Sequence, residues 1–86
     1  MKLKNVSRKW DYLKTWEGRY KKFKVQIGEG TNKLFGSTCD YYYFVVNREE
    51  DDISYNSLWT DNKYNTLKEA EEAAIKWIDE KLRTMK

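Results

Sequence analysis

Histidine and proline are both absent from this chain of 86 residues, and it contains a single cysteine. Without histidine, the commonest general base and a common metal ligand are missing. A single cysteine cannot form a disulfide within the chain, which favours a reducing compartment such as the cytoplasm. The sequence therefore predicts a protein that is not an enzyme, with no cofactor and no metal site.

Long apolar runs are also missing, and lysines interrupt the first fourteen residues. A helix that crosses a bilayer needs about 20 consecutive apolar residues, and a secretory signal needs an apolar segment near the amino terminus. We therefore expect no membrane partner and a cytoplasmic location. Lys, Asn and Tyr are abundant, which suits an A/T-rich genome and hints at a phage, in which case the location is the host cytoplasm.

Positive charge is concentrated in the first part of the chain. Residues 1–36 contain ten basic and three acidic residues, a net charge of +7, whereas residues 37–86 contain seven basic and eleven acidic residues, a net charge of −4. A strongly basic half on a small domain indicates an anionic partner, either DNA or RNA or an acidic host protein.

The last segment of the chain has the pattern of an amphipathic helix. Thr66 and Glu69 form a capping box, with the threonine as N-cap. Apolar residues then recur at helical spacing on one side: Leu67, Ala70, Ala74, Ile75, Trp77, Ile78, Leu82 and Met85. Such a helix needs an apolar surface to cover, and the aromatic segments before it can supply one.

Three segments before the helix have strand patterns. Tyr20 to Ile27 alternates, with Phe23, Val25 and Ile27 on one face and Tyr20, Lys22 and Lys24 on the other. Tyr41 to Asn47 is apolar or aromatic on both faces, which is typical of a central strand. Ile53 to Thr60 is the third segment. Consecutive strands joined by turns predict an antiparallel meander, so the expected fold is α+β, a three-stranded sheet packed against one C-terminal helix.

Residues 1–17 leave several alternatives open, because their aromatic residues fit both helical and strand spacing. They form an extended arm, a short helix over residues 7–16, or an extra strand that makes the sheet four-stranded. If residues 7–16 are helical, the element order is similar to that of double-stranded-RNA-binding domains. No linker or repeat divides the chain, so residues 1–86 are predicted to form a single domain.

Basic and aromatic residues alternate closely in the first part of the chain, and these are the candidate binding residues. Phosphates are bound by Lys and Arg, and aromatic rings stack on bases or sugars. The candidates for binding nucleic acid or another partner are Arg8, Lys9, Trp10, Tyr12, Lys14, Trp16, Arg19, Tyr20, Lys22 and Lys24.

Two short motifs carry a resemblance to a known family. Gly18-Arg19-Tyr20 begins a basic strand, and Tyr64-Asn65-Thr66-Leu67-Lys68-Glu69-Ala70 leads into the helix. Across residues 18–80 the chain resembles the three-strand-plus-helix DNA-binding modules of AP2 domains and of the arm-binding domains of phage integrases. In that family the sheet lies in the DNA major groove and the helix packs behind it. The resemblance implies that Arg19, Tyr20, Lys22 and Lys24 contact DNA.

The sequence thus predicts a small nucleic-acid-binding protein, of phage type, that docks through its basic and aromatic N-terminal half. The alternative is a phage-type inhibitor that binds and blocks a host defence protein or toxin, because exposed tyrosine and tryptophan also suit protein interfaces. The segment from Ile53 to Thr60 is an expected edge strand, through which two copies could pair as a homodimer.

Overall fold

The fold is a five-stranded antiparallel sheet with one helix on a single face. A computed structural model describes residues 2–8, 13–32 and 39–85. The strands are β1 (Lys4–Asn5), β2 (Thr15–Tyr20), β3 (Phe23–Gly30), β4 (Tyr41–Arg48) and β5 (Ile53–Asn56), and the helix is α1 (Leu67–Thr84). The strands lie in the sheet in the order in which they occur in the chain. The α+β class, the meander and the C-terminal helix are confirmed, whereas the expected number of three or four strands is wrong.

The error in strand number has its main cause at Lys21 and Lys22. We predicted one strand from Tyr20 to Ile27, but the chain reverses there, and Tyr20 pairs with Phe23 across a two-residue turn. Both turn residues have positive φ, 49° at Lys21 and 71° at Lys22. A two-residue hairpin of this kind usually has Asn or Gly at these positions, so the sequence contained no turn signal.

The hairpin also places one aromatic residue, Tyr20, on the opposite face of the sheet from the one that we predicted. Residues paired directly across two strands lie on the same face of a sheet. Because Tyr20 pairs with Phe23, its ring lies on the face that the helix covers, not beside Lys24 as predicted. The assignment of Phe23, Val25 and Ile27 to the core is confirmed, since each side chain is fully buried.

The core lies between the two central strands and the helix. Its buried members are Phe23, Val25, Ile27, Phe44, Val46, Ala70, Ala74 and Ile78, and none is more than 2% exposed. Two of the three helix residues are alanines, which allows the helix axis to approach the sheet closely. Around this centre, Trp77 stacks on Tyr55 with ring centroids 4.9 Å apart and meets Phe23 edge-on at 6.3 Å.

The helix begins as the sequence indicated. The Thr66 hydroxyl accepts the N–H of Glu69 at 3.0 Å. The Glu69 carboxylate reaches back one residue farther than expected and accepts the N–H of Asn65 at 3.1 Å. These bonds satisfy one backbone donor in the first turn of the helix, that of Glu69, and one just before the N-cap, that of Asn65.

The predicted third strand is shorter than expected. β5 ends at Asn56, and Ser57–Thr60 form a 3-10 turn. The chain then returns to β4, where Tyr42 and Tyr64 exchange two backbone hydrogen bonds. Between these pairings, the buried Ser57 hydroxyl accepts the N–H of Phe44 at 3.1 Å. The serine thus replaces a strand partner at the point where β5 leaves the sheet.

A polar contact joins the hairpin turn to the helix. The Tyr20 hydroxyl donates to the Asp79 carboxylate at 3.1 Å, and the Lys21 ammonium donates to it at 2.8 Å. The hydrogen bond from Lys21, followed by that from Tyr20, lowers the pKa of Asp79 below its ordinary value. This contact holds the β2–β3 turn against the second half of α1.

Parts of the N-terminal segment belong to the sheet. β1 pairs with β2, with Lys4 opposite Glu17, so residues 4–5 and 15–17 form strands at one side of the sheet. The alternative of a helix over residues 7–16 is wrong for the last two of these residues, because Thr15 and Trp16 belong to β2. Residues 9–12 and 33–38 lie outside the described residues.

Replacing Lys22 with glycine is expected to stabilise the protein by about 0.5–1 kcal/mol, because glycine adopts positive φ without the steric cost that lysine carries. Urea unfolding measures the change. The matched control is Lys24→Gly, two residues later inside β3, where glycine should destabilise by about 0.5–1 kcal/mol. Equal destabilisation by both changes would contradict a positive-φ turn.

Asp79→Asn should remove a stabilising contribution that depends on pH. Because folding lowers the pKa of Asp79, its contribution is complete above the unfolded pKa of about 3.9. It is lost as pH falls through the lower folded pKa. The difference in unfolding free energy between wild type and Asp79→Asn, followed from pH 7 to pH 2, should therefore be constant at first and then shrink at acidic pH. Glu72→Gln, on the same helix, is the control, and an equal pH dependence in both variants would contradict a specific role for Asp79.

Candidate nucleic-acid interface

The helix covers one face of the sheet, and the opposite face, which we call the open face, presents alternate residues of each strand. The register arranges these residues in rows that cross the strands. The first row contains Arg19, Lys24, Asn47 and Ser54. The second contains Lys4, Glu17, Gln26, Val45 and Asn56. The third contains Thr15, Gly28 and Tyr43, and beyond it Gly30 lies opposite Tyr41.

The first row forms the basic end of the open face. Arg19 is directly opposite Lys24, and both side chains are exposed. Lys22, in the adjacent turn, lines with them a hollow of about 290 Å³ that is also lined by Asn47 and Arg48. Three of the predicted binding residues, Arg19, Lys22 and Lys24, are therefore brought together by the hairpin.

Carboxylates moderate this positive charge. Glu49 and Glu50, from the turn after β4, line the same hollow. Arg48 is directed to this acidic turn, with its Nε 2.8 Å from the Asp51 carboxylate and a second nitrogen 3.8 Å from Glu50. In the second row, Glu17 lies 3.7 Å from the Lys24 ammonium. Because Arg48 is engaged by the acidic turn, the cations of the hollow that face an anionic ligand are Arg19, Lys22 and Lys24, the last of which is shared with Glu17.

Two tyrosines form the other end of the open face, each packed on a glycine. A Cβ built on Gly28 would lie 2.7 Å from Cζ, 2.7 Å from Oη and 2.8 Å from Cε1 of Tyr43. These near-equal distances mean that the ring rests on Gly28 with its flat side, since an edge-on ring would hold Cζ farther away than its two neighbours. Tyr41 rests in the same way on Gly30. The Lys63 ammonium lies 4.8 Å from the centre of the Tyr41 ring.

The other predicted site residues are not part of this arrangement. Trp16 is opposite Ile27 on the helix side and packs against Tyr42, with ring centroids 6.3 Å apart. Tyr20 is also on the helix side and is engaged by Asp79. Lys14 precedes β2, at the end of that strand away from Arg19, and its N–H donates to the Glu29 carboxylate. Arg8 is exposed beyond β1.

Three further candidates, Lys9, Trp10 and Tyr12, lie outside the described residues. Sequence reasoning also missed members of the open face, namely Gln26, Tyr41, Tyr43 and Asn47. A signal for the tyrosines was present in the sequence. Gly28 and Gly30 are two residues apart, so they lie on the same face of a strand, and Tyr41 and Tyr43 have the same spacing in an aromatic strand. Glycines in a strand often lie beneath an aromatic ring of the neighbouring strand.

Other groups in the described residues offer little chemistry. Burial, and secondarily the nearby Glu29 carboxylate, raises the pKa of the Cys39 thiol, which keeps it protonated and weakly nucleophilic at neutral pH. Within residues 2–8, 13–32 and 39–85, no three Cys, Asp or Glu side chains are arranged so that they could hold a metal ion together. The helix found in these same ranges is not apolar enough to cross a bilayer.

Comparison with known proteins adds no functional assignment. No protein-family model, curated protein or solved structure matches this chain. The resemblance to AP2 and integrase arm-binding modules therefore stays a prediction.

The packing of Tyr43 on Gly28 can be tested by a double-mutant cycle. Gly28→Ala should destabilise the protein by about 0.5–1.5 kcal/mol, because the new methyl group forces the Tyr43 ring from its preferred rotamer. In a Tyr43→Ala background the same change should be neutral or stabilising, since the ring is gone. Urea unfolding of the four proteins measures the coupling. Equal effects of Gly28→Ala in both backgrounds would show that the ring does not lie on the glycine.

Proposed function

We propose that this protein binds nucleic acid on the open face of its sheet. The observation that carries the proposal is the cluster of Arg19, Lys22 and Lys24 at the first hairpin, on the face that the helix leaves uncovered. Exposed Lys and Arg side chains on one surface dock phosphates with little dependence on sequence. The neighbouring amides of Gln26 and Asn47 add hydrogen-bonding groups to the same surface.

The acidic turn sets an upper limit on the strength of this binding. Glu49 and Glu50 share the hollow with the three cations, so some of the attraction for phosphate is offset. If only three phosphates are neutralised on a single strand, the slope of log affinity against log salt is about −2. Between about 50 and 200 mM salt such a slope corresponds to a loss of affinity of roughly 20-fold.

A second function, binding to a protein partner, is favoured by a different surface. Trp59 is 67% exposed and meets Tyr55 edge-on, on the helix side of the sheet. β5, beside it, is an edge strand without a charged residue. Exposed tryptophan is typical of interface hot spots, and an uncharged edge strand can pair with another chain. This surface would serve an inhibitor of a host protein, or a homodimer through β5.

Fluorescence anisotropy of labelled oligonucleotides, at about 50 and 200 mM salt, tests the proposed function. The double variant Arg19→Gln/Lys24→Gln should bind more weakly, and its salt slope should be smaller in magnitude by about 1.4, which corresponds to two lost contacts on a single strand. The matched control is Lys68→Gln/Lys76→Gln, which removes two exposed charges from the helix and should leave binding nearly unchanged.

The same titration separates the two functions. Failure to bind any oligonucleotide at the lower salt concentration would contradict the proposal. A stoichiometric protein complex that survives nuclease digestion and is lost in Trp59→Ala would instead support the inhibitor function. If the two double variants weaken binding equally, the ligand does not dock on the open face.

A further inference from the structure

We infer that the nucleic acid bound on the open face is single-stranded, and that one of its bases stacks on the ring of Tyr43. This inference rests on the proposed function, which requires only phosphate contacts, and goes beyond it by stating the strand type and the base-binding residue. Two observations support it: the way in which the Tyr43 ring lies on the sheet, and the width of the sheet itself.

The orientation of Tyr43 leaves one side of its ring directed away from the protein. Because the flat side of the ring rests on Gly28, the opposite flat side points outward from the open face. Among the residues that the structure describes, no second aromatic ring and no ammonium or guanidinium group lies against it, whereas Lys63 lies over the ring of Tyr41. An outward aromatic face is the surface on which an unpaired base stacks.

The glycine beneath the ring makes this surface well ordered. A side chain at position 28 would push the Tyr43 ring away from the backbone, since even a Cβ would approach it to 2.7 Å. Packing against β3 removes rotational freedom from the ring before any ligand binds. A preordered ring loses less entropy on binding, which strengthens stacking.

The distance between the cations and Tyr43 fits one short segment of single-stranded nucleic acid. Lys24 pairs with Asn47, and Tyr43 lies four residues away along β4, a distance of about 13 Å. That is the length of about four stacked nucleotides at 3.4 Å each. A single strand that runs along β3 and β4 can therefore place phosphates on Arg19 and Lys24 and a base on Tyr43.

A duplex fits this face poorly. In the second row five strands lie side by side, from Lys4 on β1 to Asn56 on β5, so the sheet is about 19 Å wide at that point. The major groove of B-DNA is only about 12 Å wide and admits a helix or a two-stranded ribbon. The bases of a duplex are also stacked on each other and present no free face to Tyr43.

The test compares binding of four probes of equal length: a 12-mer of single-stranded DNA, the same sequence in RNA, its DNA duplex, and a DNA 12-mer in which abasic sites replace the central bases. Wild-type protein should bind the single strands more tightly than the duplex. The abasic probe keeps every phosphate, so a drop in its affinity reports base contacts without any change in the protein.

Three variants complete the experiment. Tyr43→Leu should weaken single-strand binding by roughly 5- to 150-fold, the usual effect of losing one base-stacking ring, and should leave the salt slope and duplex binding unchanged. Tyr43→Phe keeps the ring and should bind like the wild type. Trp59→Leu removes an exposed ring on the other side and should have no effect. Circular dichroism confirms that each variant is folded.

The outcomes separate this inference from the proposed function. Salt-dependent binding that is equal for single strand, duplex and abasic probe would overturn the inference and leave the proposed function standing. Absence of binding to all four probes would overturn both. Tighter binding of the wild type to either single strand than to the duplex, lost in Tyr43→Leu, would support the inference, and the single strand that binds more tightly would identify DNA or RNA as the ligand.

Discussion

Burial of the two central strands beneath the helix is the packing on which the rest of this structure depends. Phe23, Val25 and Ile27 of β3, with Phe44 and Val46 of β4, are almost completely removed from solvent. Ala70 and Ala74 allow the helix to lie close enough for Ile78 to complete the layer. A small domain with no possible disulfide in its chain relies on this single contact surface, so its hydrophobic burial is the main source of stability.

The candidate site follows from this packing because side chains alternate across a strand. Once Phe23, Val25 and Ile27 face the helix, Lys24 and Gln26 must face the other way. The cross-strand register then places Arg19 and Asn47 beside Lys24. The open face and the core are therefore opposite faces of the same strands. A change that turned one strand over would disrupt both of them.

Charge and aromatic surface are separated along this face. The cations lie at the β2–β3 hairpin, where the acidic turn after β4 partly offsets them. The tyrosines lie at the opposite end, held on glycines of β3. A ligand that uses both ends needs negative charge and a flat unpaired ring within one short span, and this combination is the chemistry of a single-stranded nucleic acid.

The sequence by itself determined the elements that depend on local or strongly periodic signals. Thr66 and Glu69 identified the helix start, the repeat from Leu67 to Leu82 identified its apolar side, and alternation identified the core face of β3. Clustered basic residues indicated an anionic partner, but not which side chains converge.

Tertiary structure alone decided the turn at Lys21 and Lys22, because two lysines carry no propensity for positive φ and the turn is held by pairing of β2 with β3 and by Asp79. That turn moved Tyr20 to the helix side and brought Arg19 opposite Lys24. Tyr43 lies in the candidate site only because β4 pairs with β3 in a register that places Tyr43 opposite Gly28. Register is a property of two strands together, so neither strand's sequence reveals it when read alone.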